Sequence, residues 1–168
     1  MKAAYFDCFA GISGDMTLGA LLDLGVPLEW LQEQLHAMPL DGFKITKESI
    51  HVNGIRAAQV QIDLSEGQPV RNWIDIRNLI ENAPLDKDAA DNSLKMFEKI
   101  AVSESEIHGV PVEKVKFNEV GALDYIIDIV GTAICMAYLG VEAVFASKMP
   151  LGIGFLECRH GRLPVPAP

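Results

Sequence analysis

Basic charge is scarce in this chain. Lys and Arg total 14 against 23 Asp and Glu, a formal net charge of −9, and the sequence pI is near 4.8. The cationic side chains are also scattered, so a nucleic-acid surface built on clustered positive charge is excluded. Cysteine is scarce too. Cys8, Cys135 and Cys158 stand too far apart for a disulfide framework and fit a reducing cytosol. No stretch approaches the ~18 consecutive apolar residues of a membrane span. The N-terminus lacks the charged start and long apolar run of a signal peptide. These absences predict a cytoplasmic protein with no membrane or nucleic-acid partner. There is no internal repeat, and the one biased segment, the tail "LPVPAP", has prolines that rule out a helix or a central strand.

What is present suits one domain with a real core: 168 residues, 49% hydrophobic and 22% charged. "AAYFDCF" (3–9) is a short apolar run ending at Ala10-Gly11, which reads as a buried strand. "GISGDMTLGALLDLG" follows as a helix capped by Ser13, with Asp15 in its first turn, Met16, Ala20, Leu21 and Leu24 at helical spacing, and Gly25 as the stop. A second helix starts on Pro27 and ends before Pro39. Between Phe43 and Leu64 the period becomes two, and Asn53-Gly54 marks a hairpin. Helical periodicity returns in "VRNWIDIRNLIENA" and in "DKDAADNSLKMFEKIAVSESEIHG", whose acidic front suits the positive end of a helix dipole. "VKFNEV" reads as a strand, Gly121 to Leu139 as a helix closed by Gly140, and "VEAVFASKMPLGIGF" as a returning strand. Strand, helix, strand in this order predicts parallel strands joined by a crossover helix. The expected fold class is α/β, a mixed and mostly parallel sheet with flanking helices and one β-hairpin.

"VKFNEVGALDYIIDIVG" (115–131) sets Glu119, Asp124 and Asp128 in strongly apolar surroundings. On a helix from about Ala122, Leu123, Ile126, Ile127, Val130, Ile134 and Ala137 follow the core spacing. Asp124, Asp128, Gly131 and Cys135 form a second stripe about 100° round the axis. The two carboxylates share a face near the helix N-terminus, and Glu119 ends the preceding strand. Parallel α/β folds build their sites there, so these acids can bind a hard cation or move protons. The plainer alternative is that Asp124 caps the helix and Asp128 pairs with a surface Lys or Arg.

"FDCFAGISGDM" has the same logic, with Asp7 near a strand end, Asp15 at a helix start, and Gly11 and Gly14 letting backbone approach a ligand. The lysine of a Walker loop is absent, so a cation or a metal-bound phosphate suits this turn better than a bare phosphate. A purely structural strand-to-helix turn is the alternative. In the tail, Cys158 and His160 point the same way in extended chain and can offer thiolate and imidazole to a metal. The alternative is a buried thiol and a backbone-bonded loop histidine. His108 closes a helix, where its cationic form suits the dipole.

Taken together, "YFDCFAGISGDM", "FNEVGALDYIIDIVG" and "HGRLPVPAP" resemble the LarC family of nickel insertion proteins in nickel-pincer cofactor biosynthesis. The resemblance implies delivery of Ni2+ into pyridinium-3,5-bisthiocarboxylic acid mononucleotide, forming the cofactor of lactate racemase-type enzymes. In that family the reaction is a CTP-dependent cyclometallation of the lyase class, aided by Mn2+ or Mg2+. The match covers the family's N-terminal part, so residues 1–168 are expected to be a single N-terminal domain of a longer architecture. The CTP site is expected in an absent C-terminal domain, and the chain alone is expected to be inactive. Ending inside a family motif points to a truncated product. Asn118 stands where the family motif has a histidine.

Carried over by position, the resemblance implies metal ligands at Asp7, His108, Asp124 and His160, and proton transfer by Glu119 or Asp128. Gly11, Ser13, Gly14 and Asp15 would hold the mononucleotide's phosphate on backbone N–H groups through a bridging cation. The partners it implies are the precursor, the C-terminal domain and a racemase-type apoenzyme, and a homo-oligomer is expected. Two rivals stand beside this reading. One is a Mg-dependent phosphate or nucleotide enzyme using Asp7, Asp15 and Asp128, and the other is a non-catalytic assembly domain.

Overall fold

A computed structural model of the chain describes residues 1–117, 123–158 and 161–166. The chain divides into two compact units, residues 13–140 and residues 1–12 together with 141–168.

The 13–140 unit holds α1 (Gly14–Asp23), α2 (Leu28–His36), β2 (Phe43–Val52), β3 (Ile55–Leu64), α3 (Trp73–Glu81), α4 (Lys87–His108), a 3₁₀ turn at Val112–Lys114 and α5 (Leu123–Leu139). Its core is organised on α5. Leu123, Ile126, Ile127, Val130 and Ile134 are all buried there, the face the spacing predicts. Each such side chain contributes roughly 1.5–3 kcal/mol on removal from water. α1 runs along the second stripe of α5. A Cβ on Gly131 would meet Leu18 Cδ2 at 3.1 Å and Leu31 Cδ1 at 3.8 Å, so the glycine lets α1 and α2 close onto α5.

The hairpin forms as predicted. β2 and β3 pair over ten residues, from Phe43↔Leu64 to Val52↔Ile55. Asn53 (φ 51°) and Gly54 (φ 82°) make the turn, which needs left-handed backbone at both positions. Phe43, Ile45 and Val60 are buried, and a Cβ on Gly19 would lie 3.0 Å from the Ala58 carbonyl, so α1 rests directly on β3. Lys47 Nζ donates to the Leu22 carbonyl at 2.8 Å, satisfying an acceptor at the C-terminal end of α1. α3 opens on a reciprocal capping box, with Asp75 N–H donating to Asn72 Oδ1 at 3.0 Å and Asn72 N–H to Asp75 Oδ2 at 2.9 Å. The acidic front of α4 is a cap as well, Asp86 Oδ1 accepting from Asp88 N–H at 2.9 Å.

Three expectations need correction. The buried face of α1 is Thr17, Leu18, Leu21 and Leu22, whereas Met16 and Leu24 are exposed. The described part of the strand expected over 115–120 joins no sheet. Lys116 makes a lone bridge to Asn72, while Val115 and Phe117 are buried. Extended chain laid over helices produces the same alternation as a strand. The returning strand over 141–155 breaks into β4 (Ala143–Ala146) and β5 (Gly154–Cys158), because Pro150 and the positive-φ Gly152 interrupt it.

The other unit contains β1 (Ala3–Phe6), β4, β5 and β6 (Gly161–Val165). The parallel pair is β1 with β4, in register from Ala3↔Ala143 to Phe6↔Ala146, so the partner of β4 is the first strand of the chain. Its end is locked by Ser147, whose N–H donates to the Phe6 carbonyl at 2.9 Å and whose Oγ accepts from Cys8 N–H at 2.8 Å. β5 and β6 form a second antiparallel hairpin from Gly154↔Val165 to Cys158↔Gly161. Pro164 is tolerated there because both strands of a two-stranded sheet are edges.

Candidate functional site

The first turn of α1 and the first two turns of α5 bring three carboxylates together. A Cβ placed on Gly14 would fall 2.2 Å from Asp128 Oδ2 and 2.3 Å from its Cγ. Gly14 is therefore a seat for the Asp128 side chain, which reaches across from α5 to the start of α1. Asp15, next in sequence, and Asp124, one turn earlier on α5, both act electrostatically on Asp128. Burial, then the charges of Asp15 and Asp124, push the Asp128 pKa up to about 6.

The plainer reading of Asp128 does not hold. Asp124 Oδ1 and Asp128 Oδ1 are shut off from water and, among the described residues, have no hydrogen-bond partner. Among the described residues neither carboxylate makes an ion pair, so Asp128 is not matched by a surface Lys or Arg. Ser13 occupies the N-cap position of α1 without capping it. Its hydroxyl donates instead to Asp15 Oδ1, and its carbonyl accepts from the Thr17 hydroxyl at 2.8 Å. The first-turn N–H groups of α1 are thus left without a side-chain cap, beside a half-buried carboxylate that gains a proton near pH 6.

His108 ends α4, its Nε2 3.2 Å from Glu104 Oε2 on its own helix. Asp7 and Gly11 belong to the other unit, where Asp7 is exposed after β1 and Gly11 (φ 96°) donates its N–H to the Cys8 carbonyl at 3.0 Å. Cys158 Sγ lies 3.4 Å from the Gly161 carbonyl. Asn118, Glu119 and His160 fall outside the described residues. Among the described residues, no three His, Cys, Asp or Glu side chains are arranged to hold a metal ion. The approach of Gly14 to Asp128 is a contact that pattern reading misses. Its trace in the sequence is a glycine immediately before an acid at a helix start.

The family described as nickel insertion protein matches residues 4–168, and the chain belongs to it. Relatives include proteins named "Putative nickel insertion protein" from Wolinella succinogenes, 52% identical over all of this chain and 43% of its own length, and from Syntrophobacter fumaroxidans, 50% identical over all of this chain and 43% of its own. A third, from Geobacter sp. strain M21, is 48% identical over 44% of its length. The chain thus spans less than half the length of the curated relatives it matches. No solved structure matches it. Among the described residues no helix is long and apolar enough to cross a membrane.

Proposed function

We propose that this chain is the nickel-handling front part of a protein that inserts nickel into pyridinium-3,5-bisthiocarboxylic acid mononucleotide, the step that forms the nickel-pincer cofactor of lactate racemase-type enzymes. Nickel is a substrate here, carried and released. The observation that supports the reading best is Asp128 seated on Gly14, with two buried carboxylate oxygens that have no partner among the described residues, in a chain of the nickel insertion family.

Placing nickel on a ring carbon requires that carbon to lose its proton. A carboxylate with a pKa near 6 is matched to accept a proton at neutral pH, and Asp128 takes that role. Glu119 is the second candidate base. As transient nickel donors we propose Asp124 and His108 within the 13–140 unit and, each taken by itself in the other unit, Asp7 and His160, carboxylate and imidazole both being acceptable to nickel. Transfer favours a set that is incomplete until substrate arrives. Ser13, Gly14 and Asp15, at the uncapped start of α1, are the proposed seat of the mononucleotide's phosphate, held through a bridging cation as the neighbouring acids require.

The acids suit Mg2+ or Mn2+ in kind, but those among the described residues are not arranged to hold either ion, and no step is drawn through it. CTP use is assigned to the polypeptide that the longer relatives carry beyond the matched region. In the full-length protein, Asp128→Asn is expected to slow nickel insertion by about 10²–10⁴ and to remove the rise in rate through pH 6. Unchanged transfer removes Asp128 from the mechanism. Calorimetry of the chain with nickel, magnesium and the precursor tests the rivals: magnesium-dependent nucleotide binding favours a phosphate enzyme, and silence throughout favours an assembly domain.

A further inference from the structure

The β1–β4 pair is an unfinished sheet. All eight of its residues, Ala3, Ala4, Tyr5 and Phe6 with Ala143, Val144, Phe145 and Ala146, are apolar, the composition of parallel strands covered on both faces. Yet Tyr5 and Phe145, register partners that share one face, are 66% and 56% exposed. Among the described residues each strand pairs only with the other, so the outer edge of each is open. Neither strand carries a lysine, a proline or a bulge of the kind that guards a permanently free edge. A two-stranded sheet with an uncovered apolar face is not independently stable.

The geometry points to a docking face for one occupant: the polypeptide that relatives of this chain carry outside the matched region, adding a strand to the β1–β4 edge and an apolar surface over Tyr5 and Phe145. The relatives supply the reason for that choice. The family match takes in all of this chain from residue 4 but only 43–44% of each relative's length, so more than half of each relative remains to cover this face. The inference rests on the reading that activity needs that further polypeptide. Its test involves no nickel, so either reading can fail without the other.

The experiment compares the 168-residue chain with a fusion that appends the unmatched part of the Wolinella succinogenes relative. Amide hydrogen exchange is followed at Ala3–Phe6 and Ala143–Ala146, with solution size measured over a range of concentrations. Exchange at both strands is expected to slow by about tenfold or more in the fusion. The double variant Tyr5→Lys, Phe145→Lys should restore the fast rate, and the milder Tyr5→Ala, Phe145→Ala should restore it in part. Val70→Lys, at an exposed position of the 13–140 unit, should leave the protection intact. Equal rates in chain and fusion overturn the proposal. So does protection that appears in the 168-residue chain alone as its size doubles, since the occupant is then a second copy.

Discussion

Asp128 occupies the space that any side chain at position 14 would need: a Cβ on Gly14 would sit 2.2 Å from its Oδ2. Gly14→Ala must therefore displace the carboxylate or the helix. A cost of about 1–3 kcal/mol is expected in urea unfolding. Asp128→Ala in the same chain should relieve most of it, giving a coupling of about 0.5–3 kcal/mol in the double-mutant cycle. Strictly additive costs would show that the two residues do not meet.

Asp128 also predicts a pH dependence. Its folded pKa of about 6 lies above the ordinary carboxylate value of 3.8, so between these values the folded chain holds a proton that the unfolded chain has released. Stability contributed by the protonated acid is complete below pH 4 and declines as pH rises through 6. The Asp128→Asn chain should therefore be more stable than the parent at pH 7. We expect about 1–2 kcal/mol after allowance for solvent screening of a half-buried group, and no gain at pH 4. Melting curves at the two pH values decide it, and a gain that is larger at pH 4 would contradict the assignment.

The thiols should separate cleanly by reactivity. Burial pushes Cys135 up to about 12, leaving about one part in ten thousand as thiolate at pH 8. Cys8 is 1% exposed, and Cys158 is partly accessible. Titration of the native chain with a thiol-specific disulfide reagent should label Cys158 in the first phase, with Cys135 reacting at the rate of unfolding. Early labelling of Cys135 would mean that α5 is not packed as described.

The hairpin turn gives a test that leaves the acids untouched. Gly54 adopts φ 82° beside Asn53 at φ 51°, a region that costs an L-residue about 1–2 kcal/mol. Gly54→Ala should lower the melting temperature by several degrees, with nickel binding unchanged.

Legibility in the sequence followed how local the deciding physics was. α3, α4, α5 and the β2–β3 hairpin carry their own signals, such as helical periodicity, the acidic front of α4 and the Asn53-Gly54 turn, and they form where the spacing places them. α1 was legible as a helix but not in its orientation, since Met16 and Leu18 are both apolar and only the position of α5 selects Leu18 for burial. The parallel partner of β4 was hidden because β1 lies more than a hundred residues away in sequence. At the site, the shared face of Asp124 and Asp128 follows from one helix's periodicity. The seat of Asp128 on Gly14 depends on where a second helix crosses, which spacing alone does not encode.

The pairing of the first strand with β4 also sets an order of events during synthesis. β1 leaves the ribosome first, but its neighbour in the sheet ends at Ala146, so at 5–20 residues per second the strand waits roughly 7–28 s for it. Residues 13–140, continuous in sequence and containing the helices and the long hairpin, can fold during that interval. A nascent chain halted before β4 should thus expose "AAYF" as a free apolar segment open to chaperones, and release past residue 146 should withdraw it.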